Sequence, residues 1–147
     1  MKVREILDAK GRGVVVVRPE ASVSTVVHRL VLERIGALVV SEDGRHIAGV
    51  ITESDIVRAL AADGAAAMAS GRRVAELMTR EVATCAPEDD VKHVMAEMTR
   101  RRVRHLPVVE GGGLAGIVSI GDVVKSRLGE AEEEAATLRD THLPSSR

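Results

Sequence analysis

The chain has 147 residues, room for one ordinary domain or for two small units that must share a core. Its 21 Lys and Arg against 22 Asp and Glu leave a net charge of −1, and 45% of the residues are apolar, the balance of a folded protein rather than a disordered one. Phe, Tyr and Trp are all absent, which removes the flat side chains on which unpaired bases stack and, with the net charge, argues against a nucleic-acid binder.

Of the cations 17 are Arg and 4 are Lys, which favours forked contacts to carboxylate or phosphate. The single cysteine, Cys85, allows no internal disulfide and no cysteine-rich metal site, so a reducing, cytoplasmic setting is expected. The opening MKVREIL has no long apolar run behind it. No stretch approaches the ~20 apolar residues that cross a bilayer, and no membrane association is expected.

In chain order, Val3-Arg4-Glu5-Ile6-Leu7 opens a unit that begins again at Val74-Ala75-Glu76-Leu77-Met78. Val14 to Val17 is a β-branched run suited to a strand, and residues 22–33 follow with apolar side chains at 23, 26, 27, 30 and 31, the spacing of a helix. Leu38 to Val40 reads as a buried strand. Glu42-Asp43-Gly44-Arg45 supplies turn chemistry before a strand over 47–51, and residues 53–62 are again helical. The order β-α-β-β-α then recurs as strand 82–84, helix 90–101, strand 105–109, the Gly111-Gly112-Gly113 turn, strand 114–118 and helix 120–128. Matching positions lie 71 residues apart at the openings, 68 apart at Pro19 and Pro87, and 67 apart at Asp55 and Asp122. A fixed period of this kind marks duplicated units.

This gives an α/β (α+β) fold divided into repeat 1 over residues 1–62, an Ala- and Gly-rich connector over 63–73, repeat 2 over 74–128, and an acidic tail over 129–147. Leu128, Ala131, Ala135 and Leu138 would continue the last helix with a thin apolar stripe, either as a solvated end or as a partner-binding helix, until Pro144 stops it.

The most informative sequences are Gly49-Val50-Ile51-Thr52-Glu53-Ser54-Asp55 and Gly116-Ile117-Val118-Ser119-Ile120-Gly121-Asp122. In each, the hydroxyl and the acid three residues later suit a helix start, where they satisfy unpaired N–H groups. The same turn also suits a sugar and a phosphate, since a carboxylate accepts two hydrogen bonds from a vicinal diol and a helix N-terminus favours an anion. Arg100, Arg101 and Arg102 with Arg104 read as a charged helix end or a phosphate patch. His28, His46, His93 and His142 have neither metal-ligand spacing nor a nucleophile beside them.

These motifs, each preceded by an apolar strand (LVV, LPVV), and the paired openings resemble a tandem pair of cystathionine-β-synthase (CBS) domains over nearly 130 residues. The resemblance implies two repeats packed about a pseudo-twofold axis, followed here by a C-terminal helical tail. It implies clefts for adenosyl ligands such as AMP, ADP, ATP, NAD or S-adenosylmethionine, and a regulatory rather than catalytic role with no metal required. By motif, Asp122 would hold the ribose diol, Ser119 ribose or phosphate, and Ile117 the base; Arg104 and His105 stand where relatives carry phosphate-binding residues, and Thr84 where base or ribose is lined. In the first copy Val50, Thr52 and Asp55 match, but Gly36, Ala37 and Val16 replace Arg104, His105 and Thr84, which implies tighter phosphate binding beside the second motif unless Arg58 or Lys125 completes the first cleft from the opposite repeat. A homodimer and an unidentified protein effector are expected as partners. A constitutive dimerisation module that senses nothing is the competing reading.

Overall fold

The structure, a computed structural model, describes residues 1–142. In chain order the elements are α1 (Val3–Lys10), β1 (Val16–Val17), α2 (Val23–Glu33), β2 (Ala37–Val40), β3 (Gly49–Thr52), α3 (Glu53–Asp63), a 3-10 turn (Gly64–Met68), α4 (Val74–Leu77), α5 (Val91–Arg101), β4 (His105–Glu110), β5 (Gly113–Ser119) and α6 (Ile120–His142). The last helix continues past Leu128 as the stripe predicts, with Ala131, Ala135 and Leu138 exposed. Pro144, expected to end it, lies outside the described residues.

Local chemistry fixes the helix ends in both repeats alike. Ser22 caps α2 by accepting the Thr25 N–H at 3.1 Å, and Asp90 caps α5 by accepting the Lys92 N–H at 2.8 Å. Both helices stop at an arginine in the left-handed region, Arg34 at φ 53° and Arg102 at φ 56°, which turns the chain into β2 and β4. The same strained backbone at matching positions marks the duplication as three-dimensional as well as sequential.

β1 pairs parallel to β2, and β2 antiparallel to β3, with Leu38 opposite Ile51 and Val39 opposite Val50. In the second repeat β4 and β5 form the equivalent hairpin, with Leu106 opposite Val118. The strand expected at 82–84 is not formed. Its segment contributes one parallel bridge, Cys85 to Val108, in which the Cys85 N–H donates to the Pro107 carbonyl and the Val109 N–H to the Cys85 carbonyl. The reason lies in Pro107. At the matching position Val39 donates its N–H to the Val15 carbonyl; proline has no N–H, and the ladder cannot extend.

The repeats interlock rather than sit side by side. Val3, Ile6 and Leu7 of α1 are buried in one core with Cys85, Val91, Val94, Met98, Leu106, Val108 and Val118, all from the second repeat. Val74, with Leu77 and Met78, packs instead against the first repeat's core around Val26, Leu38 and Ile51. Each opening helix therefore closes the core of the other repeat, and the two short bridges Lys2 to Asp90 and Ser22 to Arg73 tie these crossings at matching positions. The crossing also explains the glycine that begins each motif. A methyl on Gly49 would lie 2.8 Å from the Met78 sulfur and the Thr79 carbonyl, and one on Gly116 would lie 2.8 Å from a Leu7 methyl. Only a bare backbone lets the crossing segment lie this close.

Candidate functional site

Both motifs are helix starts in the structure. Thr52 Oγ1 accepts the Asp55 N–H at 3.2 Å while the Asp55 carboxylate accepts the Thr52 N–H at 2.9 Å. Ser119 and Asp122 repeat this reciprocal arrangement at 3.1 and 2.8 Å. Capping places each carboxylate at a strand-to-helix turn, and the surroundings of the two then differ.

Asp55 is buried, with its side chain 4% exposed. Its Oδ2 also receives the Thr52 hydroxyl at 3.1 Å, and its Oδ1 receives Arg58 at 3.2 Å and the Thr79 hydroxyl at 3.3 Å. Thr79 stands just past α4, in the segment that crosses over from the second repeat and bridges Val50. Above Asp55 opens a cleft of about 410 Å³ whose walls come from both repeats: Val50, Thr52 and Glu53 on one side, Val82, Ala83, Arg102, Arg104 and His105 on the other. Arg58 and Glu81 also line it. It therefore combines a buried acceptor, a short aliphatic wall and several cations.

Arg104 and His105, expected beside Ser119 and Asp122, line the cleft of Thr52 and Asp55, while the backbone of His105 pairs across the hairpin with Ser119. The pseudo-twofold axis brings the starts of β2 and β4 together, so that His105 lies over Gly36: a methyl on Gly36 would come within 3.1 Å of His105 Cε1. The cations of the second repeat line the cleft of the first motif. Burial keeps the His105 imidazole below its ordinary pKa, helped by Lys10 and Arg104 and opposed by Glu53 and Asp122. The ring is thus biased towards its neutral form, and the fixed positive charge of this wall belongs to the arginines.

Asp122 meets a different partner. Lys10, the last residue of α1, donates to its Oδ2 at 2.7 Å and to the Ile117 carbonyl at 2.9 Å. Partial burial opposes ionisation of Asp122, but the Lys10 ammonium and the Ser119 N–H outweigh it and hold the carboxyl below the usual range. Of the residues expected at the sites, Val50, Thr52, Asp55, Arg104 and His105 converge on one cleft. Ile117, Ser119 and Asp122 gather around Lys10, and Thr84 is exposed, outside the lining, where Ala83 and Val82 take the wall instead.

Residues that local motif reading does not supply are Thr79, Glu81 and Lys10, whereas Arg102, read as part of a charged helix end or a phosphate patch, lines the cleft. None is near a motif in sequence; all arrive through the crossing helices or the axis. Burial pushes the Cys85 thiol up to about 12, so it is an inert core group. Among the described residues no cluster of three or more His, Cys, Asp or Glu is placed to hold a metal. No described helix is long and apolar enough to cross a membrane.

Comparison with known proteins agrees with the fold. The family described as "CBS domain" matches residues 3–62 and 74–129. The crystal structure of the CBS-domain containing protein ATU1752 from Agrobacterium tumefaciens is 44% identical, covers 86% of this chain and 99% of its own, and superposes with a TM-score of 0.82. The CBS domain pair of protein MJ0100, in complex with 5′-methylthioadenosine and S-adenosyl-L-methionine, is 25% identical with a TM-score of 0.77, over 88% of this chain and 98% of that one. CBS domain protein PAE2072 from Pyrobaculum aerophilum, complexed with AMP, is 26% identical with a TM-score of 0.72, over 83% and 89%. The chain spans 52% and 30% of the length of two curated relatives that it matches.

Proposed function

This chain belongs to the CBS-domain family as a tandem pair, and we propose that it is a regulatory module that binds an adenosine nucleotide in the cleft between Thr52–Asp55 and Arg102–His105. The observation that carries the reading is the meeting, in one cleft, of a buried carboxylate from one repeat and the arginine wall of the other. Asp55 accepts the ribose diol once Arg58, whose side chain is 73% exposed, swings aside. Arg104 and Arg102 take the phosphate. With no aromatic ring in the chain, the base is held by the aliphatic surfaces of Val50, Val82 and Ala83 through dispersion and shape. That neighbours hold AMP or S-adenosyl-L-methionine supports the adenosyl class; the arginine wall favours an anionic member, AMP, ATP or NAD.

The module has no catalytic role in this reading and signals by changing its contacts with a protein effector or with a second copy of itself. Val31 and Leu32 on α2, Val57 and Leu60 on α3, and Leu128 on α6 are exposed apolar residues on helices, and they form the face through which a homodimer assembles. One observation favours the competing reading, a dimerisation module that senses nothing: Asp55 already has four hydrogen-bond donors.

Titration calorimetry separates the two. Asp55→Ala abolishes binding of AMP and adenosine alike, whereas Arg104→Ala weakens AMP by about tenfold to a hundredfold and leaves adenosine nearly unchanged, because a charge-assisted hydrogen bond is worth ~1.5–3 kcal/mol. Equal losses for both ligands in Arg104→Ala would refute the phosphate assignment. No binding of AMP, ATP, NAD or S-adenosylmethionine by the native chain would leave the dimerisation module standing.

A further inference from the structure

The duplication supplies two carboxylates at equivalent turns, and they differ in what already holds them. Asp55 is approached by Arg58, three residues along its own helix and largely in solvent. Asp122 is approached by Lys10, which reaches it from the far end of the chain. The Lys10 ammonium bridges two acceptors, the Asp122 carboxylate and the Ile117 carbonyl, and these are the groups that the hydroxyl and amine donors of a ligand would need. Lys10 ends α1, whose Val3 and Leu7 are fully buried in the second repeat's core. Its backbone is therefore held by an anchored helix, so that only the lysine side chain has to be ordered to make the contact.

The matching position in the first half, 71 residues on, is Glu81. An acid there cannot pair with Asp55, and it lines the cleft instead. Gly36 and Ala37, which match Arg104 and His105 in the first repeat, bring no charge. Among the described residues the cation in an ion pair with Asp122 is Lys10, at 2.7 Å.

We propose that Lys10 occupies the second adenosyl site from within, so that the chain binds one nucleotide, at Asp55, and keeps the Ser119–Asp122 turn closed. This inference rests on the adenosyl reading of the Asp55 cleft. It assigns Lys10 a positioning role, in which an intramolecular ammonium replaces ligand, and it makes the charge at residue 10 the determinant of stoichiometry.

The test is calorimetry with adenosine and AMP on the full chain and on Lys10→Ala, Lys10→Gln, and Lys10→Ala combined with Asp122→Ala. Adenosine is included because it carries no anion that Lys10 could attract. The native chain is expected to bind one equivalent, unaffected by Asp122→Ala. Lys10→Ala gains a second equivalent that disappears in the double variant, and Lys10→Gln, which keeps most of the side chain but not the charge, gains it as well. Four results would overturn the closure. These are two events in the native chain with one lost in Asp122→Ala, a single event in both Lys10 variants, weaker AMP binding in Lys10→Ala (which would make Lys10 a phosphate contact), and loss of native binding in Asp122→Ala. Absence of binding in every protein, native and variant, overturns the adenosyl reading itself and the closure with it.

Discussion

Gly116 offers a test of the crossing that assembles the site, because the expected effect changes sign with its neighbour. In a strand, replacing Gly by Ala is by itself favourable by about 0.5–1 kcal/mol. Here the added methyl would lie 2.8 Å from one Leu7 methyl and 3.1 Å from the other. Leu7 is fully buried, so it cannot swing into solvent, and overpacking of this kind costs ~1–3 kcal/mol. Leu7→Ala removes the obstruction and leaves a void, at ~2–5 kcal/mol for a buried leucine. In that background the methyl at 116 fills part of the void, and Gly116→Ala becomes neutral or stabilising. Urea unfolding of the native chain, both single variants and the double variant should give a coupling of about 1–3 kcal/mol, the size expected for side chains in contact. Additive effects, or a stabilising Gly116→Ala in the native background, would refute the packing of α1 against β5 and with it the delivery of Lys10 to the second motif.

Other measurements follow from particular residues. His105 is held below its ordinary pKa of 6.5 by burial, so the unfolded chain takes up the proton first and stability is lost as pH falls from that value through the folded one; His105→Gln should flatten this part of the stability profile, and an unchanged profile excludes the ring as its source. Cys85, buried and shifted up to about 12, should not react with a thiol reagent until the chain unfolds; rapid labelling of the native protein would contradict its place in the core. Because the chain has no Trp, Tyr or Phe, a retained nucleotide should dominate its near-ultraviolet spectrum, and a featureless spectrum after equilibration with AMP, ATP or NAD would exclude tight binding. Light scattering should give a dimer that Leu32→Glu with Val57→Glu converts to monomer, and that truncation after Leu128 weakens; a native monomer would remove the dimer, and an unchanged dimer after truncation would remove the tail from it.

Most elements are legible in sequence because they are specified locally; the opening helices α1 and α4, read only as matching segments, are not. Apolar spacing and the repeat give α2 and α5 within a residue, and the two seven-residue motifs place each strand-to-helix turn. What is not legible is which core each apolar face enters. Val3, Ile6 and Leu7 form a stripe that demands burial, yet a stripe names no partner, and the same is true of Val74 and Leu77. The swap between repeats is decided by tertiary packing, and its clearest trace in the sequence is the glycine at 49 and 116. The lost strand at 82–84 is a different case. Its β-branched and small residues suit a strand well enough, but its partner at 107 is a proline without an N–H, so the information sits 23 residues from Thr84.

The site follows the same division. Thr52, Asp55, Ser119 and Asp122 are readable because a capping box is a relation over three residues. Aligning the repeats then treats Gly36 and Arg104 as alternatives for one role, and by that comparison the first half has lost its cation. The fold relates them otherwise. Both line one cleft, and the absence of a side chain at Gly36 is what admits the ring of His105, which a methyl would meet at 3.1 Å. The first repeat supplies the space and the carboxylate, and the second supplies the cations. Divergence between repeats that looks like decay along the chain is complementation across the axis. At the Asp122 turn the side-chain cation that pairs with the carboxylate is instead the ammonium of Lys10, delivered by the crossing helix α1.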